Sequence, residues 1–252
     1  MAIITGGAGG IGEAIARTFI CEGAKVIIAD IVDKRGLELC QDLGSHATYL
    51  HCNVSKEEDM ESTVDEAIKL HGQLDIMFNN AGVIENPNSM GVVISDYNMD
   101  EFDRIMNVNA KGAMLGIKHA ARVMIPRKAG CIICTASIAG IMRGLSPYAY
   151  TASKHAILGL VKNAAAELGK YAIRVNSISP YGVATSMSVG VSKEMDGKAS
   201  ASAITEEDRL RVEEGCKSIA NLKGPSLKEG DVAEAGLYMA SDDNNNNNIT
   251  QV

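Results

Sequence analysis

Residues 1–12 read MAIITGGAGGIG, a short run of buried-strand character followed by five glycines within residues 6–12. Glycine has no side chain to bury, and it gives up more chain entropy on folding than any other residue. Core packing therefore does not account for the run; something approaches the backbone closely. A strand, a glycine turn from Thr5 to Gly12 and a helix bring main-chain N–H groups to a helix N-terminus, where a pyrophosphate can rest. Glycine-rich turns also serve plain strand-to-helix connections, so a second feature is needed. Asp30 supplies it, ending the next β-branched run 18 residues after Gly12, where a carboxylate accepts from the ribose hydroxyls of a dinucleotide. Its charge opposes a 2′-phosphate and favours NAD over NADP, although Lys34 and Arg35 follow closely enough to keep the phosphate form open.

The alternation that begins here continues along the chain. Short apolar runs at 2–5, 25–30, 47–54, 74–80, 131–137 and 173–180 are separated by helix-like stretches at 11–22, 34–43, 56–71, 100–125 and 148–170. Runs that are apolar on both sides predict an α/β fold, a doubly wound parallel sheet with helices on both faces. In 56–71, Met60, Val64, Ala67 and Ile68 recur at helical spacing, and the acidic residues between them read as a solvated face. All of 1–252 reads as a single domain with an excursion over about 184–225 that carries no strand signal. Within it, Thr205 and Asp208 have the spacing of a capping box that opens a helix to about 220. Such excursions are usually functional lids or disordered segments. KEGDVAEAGLYMASDD reads as one more helix, whereas the closing Asn tract and ITQV favour neither helix nor strand.

With 252 residues, 46% hydrophobic content and a formal net charge of −7, the chain has no general basic field for nucleic acid or an anionic membrane surface. A small molecule is the expected partner. No apolar stretch approaches the ~20 residues that span a bilayer. Six scattered cysteines without a secretory signal point to a reducing compartment, the cytoplasm, rather than to disulfides. Cys131 and Cys134 lie three apart in a predicted strand, so their side chains fall on opposite faces and read as buried thiols rather than a metal or redox pair. The five histidines offer no metal-binding pair; no metal is expected, and His119 and His155 read as helix residues without a chemical role.

Tyr150 and Lys154 stand four apart in SPYAYTASKHAILGL (146–160) and share one face of a predicted helix. An ammonium beside a phenol favours tyrosinate and lowers its pKa toward neutrality, as a general base requires. The spacing alone suits a surface pair equally well, and taken by itself favours that plainer reading.

The motifs together resemble those of the classical short-chain dehydrogenase/reductase family along nearly the whole chain. Gly6, Gly10, Ile11 and Gly12 resemble its cofactor turn, and Asn79-Asn80-Ala81-Gly82 resembles its sheet-stabilising segment beside the adenine ribose. Asn109 in NVNAKG, Ser137 in TASIAG, Tyr150 and Lys154 resemble its catalytic tetrad, in order and approximate spacing. SPYGVAT (179–185), with Pro180, Val183 and Thr185, resembles the segment that holds the nicotinamide. The resemblance implies a Rossmann fold, NAD as cofactor, and oxidation of a secondary alcohol. Tyr150 would take the hydroxyl proton, Ser137 would hydrogen-bond the substrate oxygen, Lys154 would bind the nicotinamide ribose, and Asn109 would hold a water linking Lys154 to solvent. Finer matches, IKHAARVMIPRKAGCIICTAS and ANLKG among them, resemble the plant branch of secoisolariciresinol, xanthoxin and borneol dehydrogenases. That branch implies a rigid apolar ring alcohol such as a monoterpenol or lignan, and a homotetramer.

Substrate contacts are expected from Ser137, Ile138, Tyr150, Tyr181 and Met187. Met187, Val189, Val191 and Met195 either line an apolar pocket or pack a short helix, and both readings stand. Asn53, with Val54 beside it, occupies the place of the family's usual adenine-contacting aspartate, and Tyr181 that of a usual glycine. After MASDD the family continues into a final strand, where this sequence has its Asn tract. Either the sequence is incomplete or uncertain there, or the last sheet edge and tetramer contact are altered. Direction is also open: an NAD(P)H-dependent ketone reductase uses the same groups. A non-catalytic dinucleotide-binding scaffold would be favoured by loss of the tetrad, and all four residues are present.

Overall fold

Adjacent apolar pairs decide the layering, because neighbouring residues of a strand face opposite sides of a sheet. The computed structural model describes residues 1–86, 89, 91–144, 146–195 and 204–241. Among these, β1 (Ala2–Thr5), β2 (Val26–Asp30), β3 (Ala47–His51), β4 (Ile76–Asn79), β5 (Gly130–Thr135) and β6 (Ile173–Ile178) form one sheet. Its order is β3-β2-β1-β4-β5-β6 and every pairing is parallel.

Parallel neighbours need helical crossovers. These are α1 (Gly10–Cys21), α2 (Asp33–Leu43), α3 (Glu57–His71), the helical stretch α4 (Met99–Met106) and α5 (Gly112–Met124), and α6 (Tyr148–Leu168). Beyond β6 come α7 (Ser186–Met195), α8 (Glu206–Ile219) and α9 (Glu229–Ala240). Ile3, Ile27, Met77 and Ile132 point to one face, where Met60, Val64 and Ala67 of α3, Leu115 and Ala120 of α5, and Ile157 and Val161 of α6 cover them. Ile4, Ile28, Phe78 and Ile133 point to the other, under Ile15 and Phe19 of α1 and Val232 and Ala233 of α9. Cys134 lies in the first layer and Cys131 in the second, as the strand reading requires.

The expected strands run long at the ends where the cleft forms. The run 47–54 stops pairing at His51, because Asn53 turns the chain into α3: its carbonyl accepts from Lys56 N and its side-chain Oδ1 from Ser55 N and Oγ. The run 131–137 likewise stops at Thr135. The expected helix 100–125 is interrupted by a π-helical turn at Asn107–Lys111, a local widening often found at functional sites. Asn109 sits in it.

The excursion after β6 holds α7 and α8. Thr205 and Asp208 form the expected capping box, and Asp208 also meets Lys193 of α7 at 3.2 Å. Val191 and Met195 have side chains outside those described, and the Asn tract with ITQV lies outside the described residues. The Thr205 backbone N–H, its hydroxyl and then Lys193 hold the Asp208 carboxyl down at about 2, against an ordinary 3.8. A depressed carboxyl stabilises above its ordinary value and loses that contribution as pH falls through its folded value. Amide-exchange protection of α8 is therefore expected to fall between pH about 4 and about 2, and Asp208→Asn should abolish that acid step.

Candidate active site

The order of strands reverses between β1 and β4, and the chain leaves their carboxyl ends in opposite directions, opening a crevice there. The cleft at this point has a volume of about 1220 Å³, larger than a typical drug-sized pocket and long enough to run from Arg35 and Asp30 past the glycine turn to Tyr150, Met187 and Ile219.

The glycine turn is built by close approach. Gly6 has φ +61°, and a Cβ there would meet Ala81 Cα at 2.8 Å; a Cβ on Gly12 would lie 2.1 Å from the Gly6 carbonyl oxygen. Gly9 faces open space, so the backbone is bare on the cleft side, as close approach by a ligand requires. The Asp30 carboxylate accepts from Ala8 N at 3.0 Å and Val32 N at 3.1 Å, tying this turn to the end of β2. A carboxylate has about four lone-pair sites, so it retains acceptors toward the cleft. Beyond it, Glu13 binds Arg35 at 2.7 Å and Arg17 at 2.9 Å, and Arg17 also meets Asp42. Lys34 points away into solvent.

On the other side of the crevice the Thr5 hydroxyl accepts from Asn80 N and Ala81 N, and Asn80 Nδ2 donates to the carbonyls of Thr5 and Gly6. Asn80 Oδ1 accepts from Thr135. One side chain thus joins the ends of β1, β4 and β5.

Asn109, Ser137, Tyr150 and Lys154 converge on the floor below. The Asn109 amide embraces Val83, accepting from its N–H and donating to its carbonyl, both at 2.8 Å, and also donates to Ser153 Oγ at 3.0 Å. Lys154 is buried and donates to the Thr135 carbonyl at 2.8 Å; its Nζ lies 5.4 Å from the Tyr150 ring centroid. Burial lowers its pKa to about 8. Burial also raises the Tyr150 phenol, against a hydrogen bond with Ser137 that favours the ionised form and with the charge of Glu85 adding to the rise. The spacing of Lys154 and Tyr150 predicts a phenol drawn below its ordinary value; in the fold, burial is the leading influence on it and acts upward.

Gly6, Gly10, Ile11, Asp30, Asn53, Val54, Asn80, Ala81, Gly82, Pro180, Val183 and Thr185 all line the cleft, and so do Ser137, Ile138, Tyr181 and Met187. Gly12 stands behind the turn rather than on the surface. Asn109 is fully covered and acts through its neighbours. Val189 is buried in the packing of α7, so of the two described candidates there only Met187 reaches the cleft. Residues that spacing did not single out complete the substrate end: Ile84, Val108, Ser146, Cys216 and Ile219. Helical register could have indicated Val108, Cys216 and Ile219, whereas Ile84 and Ser146 lie outside helices, where spacing gives no signal.

A family model described as short chain dehydrogenase matches residues 1–196. The chain belongs to that family. Within it the chain is 46% identical to the sex determination protein tasselseed-2 of Zea mays, over 96% of this chain and 76% of that protein. It is 47% identical to a mitochondrial borneol dehydrogenase of Lavandula x intermedia, over 96% of this chain and 84% of the relative. The solved 3-ketoacyl-(acyl-carrier-protein) reductase of Brucella melitensis, complexed with NADH, superposes with a TM-score of 0.83 at 25% identity, covering all of this chain and 94% of that one. A short chain dehydrogenase with this cradle binds a nicotinamide dinucleotide. Among the described residues no cluster could hold a metal ion and no helix is long and apolar enough to cross a membrane. Because a methyl at position 12 has nowhere to go, Gly12→Ala is expected to weaken NADH binding about tenfold or more, ~1.4 kcal/mol, read by NADH fluorescence titration.

Proposed function

We propose that this short chain dehydrogenase oxidises a secondary ring alcohol of an apolar plant metabolite, such as a monoterpenol or lignan, to the ketone with NAD. The observation that carries the reading is the convergence of Ser137, Tyr150 and Lys154 beneath an apolar end of the cleft formed by Val83, Ile84, Val108, Ile138, Met187 and Ile219. The kinship with a borneol dehydrogenase supports the substrate class.

NAD, rather than NADP, is supported by charge. Asp30 faces the adenosine end, and the arginines nearby are paired with Glu13 and Asp42, leaving a 2′-phosphate no uncommitted guanidinium there. Bound NAD would supply the hydride acceptor for oxidation at the carbinol carbon. The chain's own groups handle the rest. Tyr150 Oη, as phenolate, takes the hydroxyl proton, and Ser137 Oγ donates to the oxygen as the C=O bond forms. Lys154, whose Nζ faces the space beside Gly82, would hold the nicotinamide ribose. Both Asn109 amide hydrogens are committed, so a relay water would use the Oδ1 lone pair. A Cβ on Gly82 would stand 3.4 Å from Asn109 Oδ1 and 3.6 Å from Lys154 Nζ; its lack keeps a space that both groups face. The homotetramer belongs to this proposal on the strength of the resemblance, and the cytoplasmic location on that of the six scattered cysteines.

Reduction uses the same groups, and proton balance sets the direction: oxidation needs the phenolate and reduction the phenol. With burial raising the Tyr150 phenol, alcohol oxidation is expected to climb from neutral into alkaline pH while ketone reduction is favoured at lower pH. The test is NAD(P)H absorbance with a panel of cyclic terpene alcohols, lignan diols and steroid alcohols. Tyr150→Phe should lower turnover by about 10²–10⁴-fold, the range of a lost acid–base group, with NADH affinity retained. Turnover in that variant comparable to the unaltered protein would remove the mechanism.

A further inference from the structure

The helix that carries Tyr150 and Lys154 begins without a cap of its own. Its N-cap residue is Pro147, which makes no side-chain hydrogen bond, and the first N–H groups of a helix have no partner within it. Two of them, Ala149 N and Tyr150 N, donate instead to Glu85 Oε1, at 2.7 and 3.0 Å. The same oxygen accepts from Tyr97 Oη at 2.9 Å. Glu85 is 1% exposed, and its Oε2 is buried without a hydrogen-bond partner among the described residues. A carboxylate with one oxygen triply engaged and the other bare is costly to bury, so its retention asks for a reason.

The segment around it is held residue by residue. Asn109 grips Val83, Arg104 Nη2 donates to the Ile84 carbonyl at 2.8 Å, and Glu101 accepts from Asn86 N at 2.7 Å. Val83 and Ile84 line the substrate end of the cleft. Glu85 thus joins the cleft wall to the backbone of the tyrosine.

We propose that Glu85 is a positioning residue of this site: its carboxylate caps the N-terminus of α6 and sets the electrostatic level against which the Tyr150 phenol ionises. The inference rests on the reading of Tyr150 as the acid–base group. A negative charge at a helix N-terminus is favourable, and the same charge opposes a second negative charge on the Tyr150 phenol. Among the described residues, the groups facing this carboxylate from the α4 side are Tyr97 and the Glu101–Arg104 pair, joined by two contacts of 2.8 Å, whose Arg104 charge interacts with Glu85. From α6 come Tyr148, whose ring meets Tyr97 edge to face, then Tyr150, and one turn further Lys154. Tyr97 is pushed up to about 12 by burial and by its bond to Glu85, so it remains a donor. Burial and the Glu85 charge both act upward on Tyr150, with only Ser137 acting against them.

Glu85→Gln keeps an acceptor oxygen for Ala149 and Tyr150 and removes the charge. Ultraviolet titration of tyrosinate, taken as each protein minus its Tyr150→Phe counterpart, reads Tyr150 alone and needs no substrate. In Glu85→Gln the Tyr150 signal should move to lower pH by about one unit, the scale of a nearby like charge removed, and the pH profile of alcohol oxidation should move with it. An unmoved titration overturns the proposal. Should Glu85→Gln not fold, Tyr97→Phe removes one donor from Oε1 and leaves the carboxylate less neutralised; Tyr150 should then titrate higher, and no movement again overturns the assignment. A shift without turnover on any alcohol would keep Glu85 and remove the proposed reaction. Turnover with no shift would keep the reaction and remove Glu85.

Discussion

The cleft depends on one hydroxyl. Thr5 ends β1 where the sheet order reverses, and its Oγ1 accepts from the N–H groups of both Asn80 and Ala81, while Asn80 returns its amide to the carbonyls of Thr5 and Gly6. Parallel strands part at such a point because their crossovers leave in opposite directions. Without a side-chain bridge, the backbone groups released there would be left unpaired next to a buried core. The bridge also brings Ala81 against Gly6, and that contact is why position 6 has no room for a side chain. A turn bare enough to receive a pyrophosphate is therefore a consequence of how the sheet is sealed.

The chemistry at the floor is governed by dryness. Lys154 is held down by a backbone carbonyl, Asn109 is spent on Val83 and Ser153, and Glu85 is buried behind α6. In such surroundings loss of hydration opposes any charge, which raises the phenol and lowers the ammonium together. Both shifts favour the neutral phenol and the neutral amine over the tyrosinate–ammonium pair. The sequence-level picture of a lysine acting on a tyrosine treats the pair as if in water; the fold adds desolvation, which acts upward on the tyrosine.

Elements whose signal is local were legible. The six strands, the glycine turn, the capping box at Thr205 and the face of α3 all follow from spacing and residue type, and the four tetrad residues meet where the resemblance put them. What escaped was set by tertiary contact. The strand runs continued past His51 and Thr135 because composition does not mark where hydrogen-bond partners end. The π turn around Asn109 leaves no trace in hydrophobic spacing. Glu85 gave no sign at all: a glutamate in a loop reads as solvated, and its role depends on α6, whose start lies more than sixty residues away. Val189 and Met187 sit two apart on one helix, yet one is core and the other cleft, a division that depends on how α7 lies against the rest of the fold.

The two ends of the cleft differ in how they are made, and that difference bears on selectivity. The dinucleotide end is formed by strand termini and the turn between β1 and α1, locked by backbone hydrogen bonds and by close contacts that exclude side chains. The substrate end is closed by α7 and α8, which contribute Met187, Cys216 and Ile219 and are joined to each other through the Lys193–Asp208 pair and the box at Thr205. Its walls are flexible apolar side chains presented by elements outside the sheet, and methionine adapts its shape at little cost. Exchange of those side chains would alter which substrate fits without disturbing Thr5, Asp30 or Lys154. Separation of a rigid cofactor frame from an adaptable apolar wall lets one reaction be applied to differently shaped substrates, and here the wall is continuous with the floor through Val83 and Ile84, the residues that Asn109 and Arg104 hold in place.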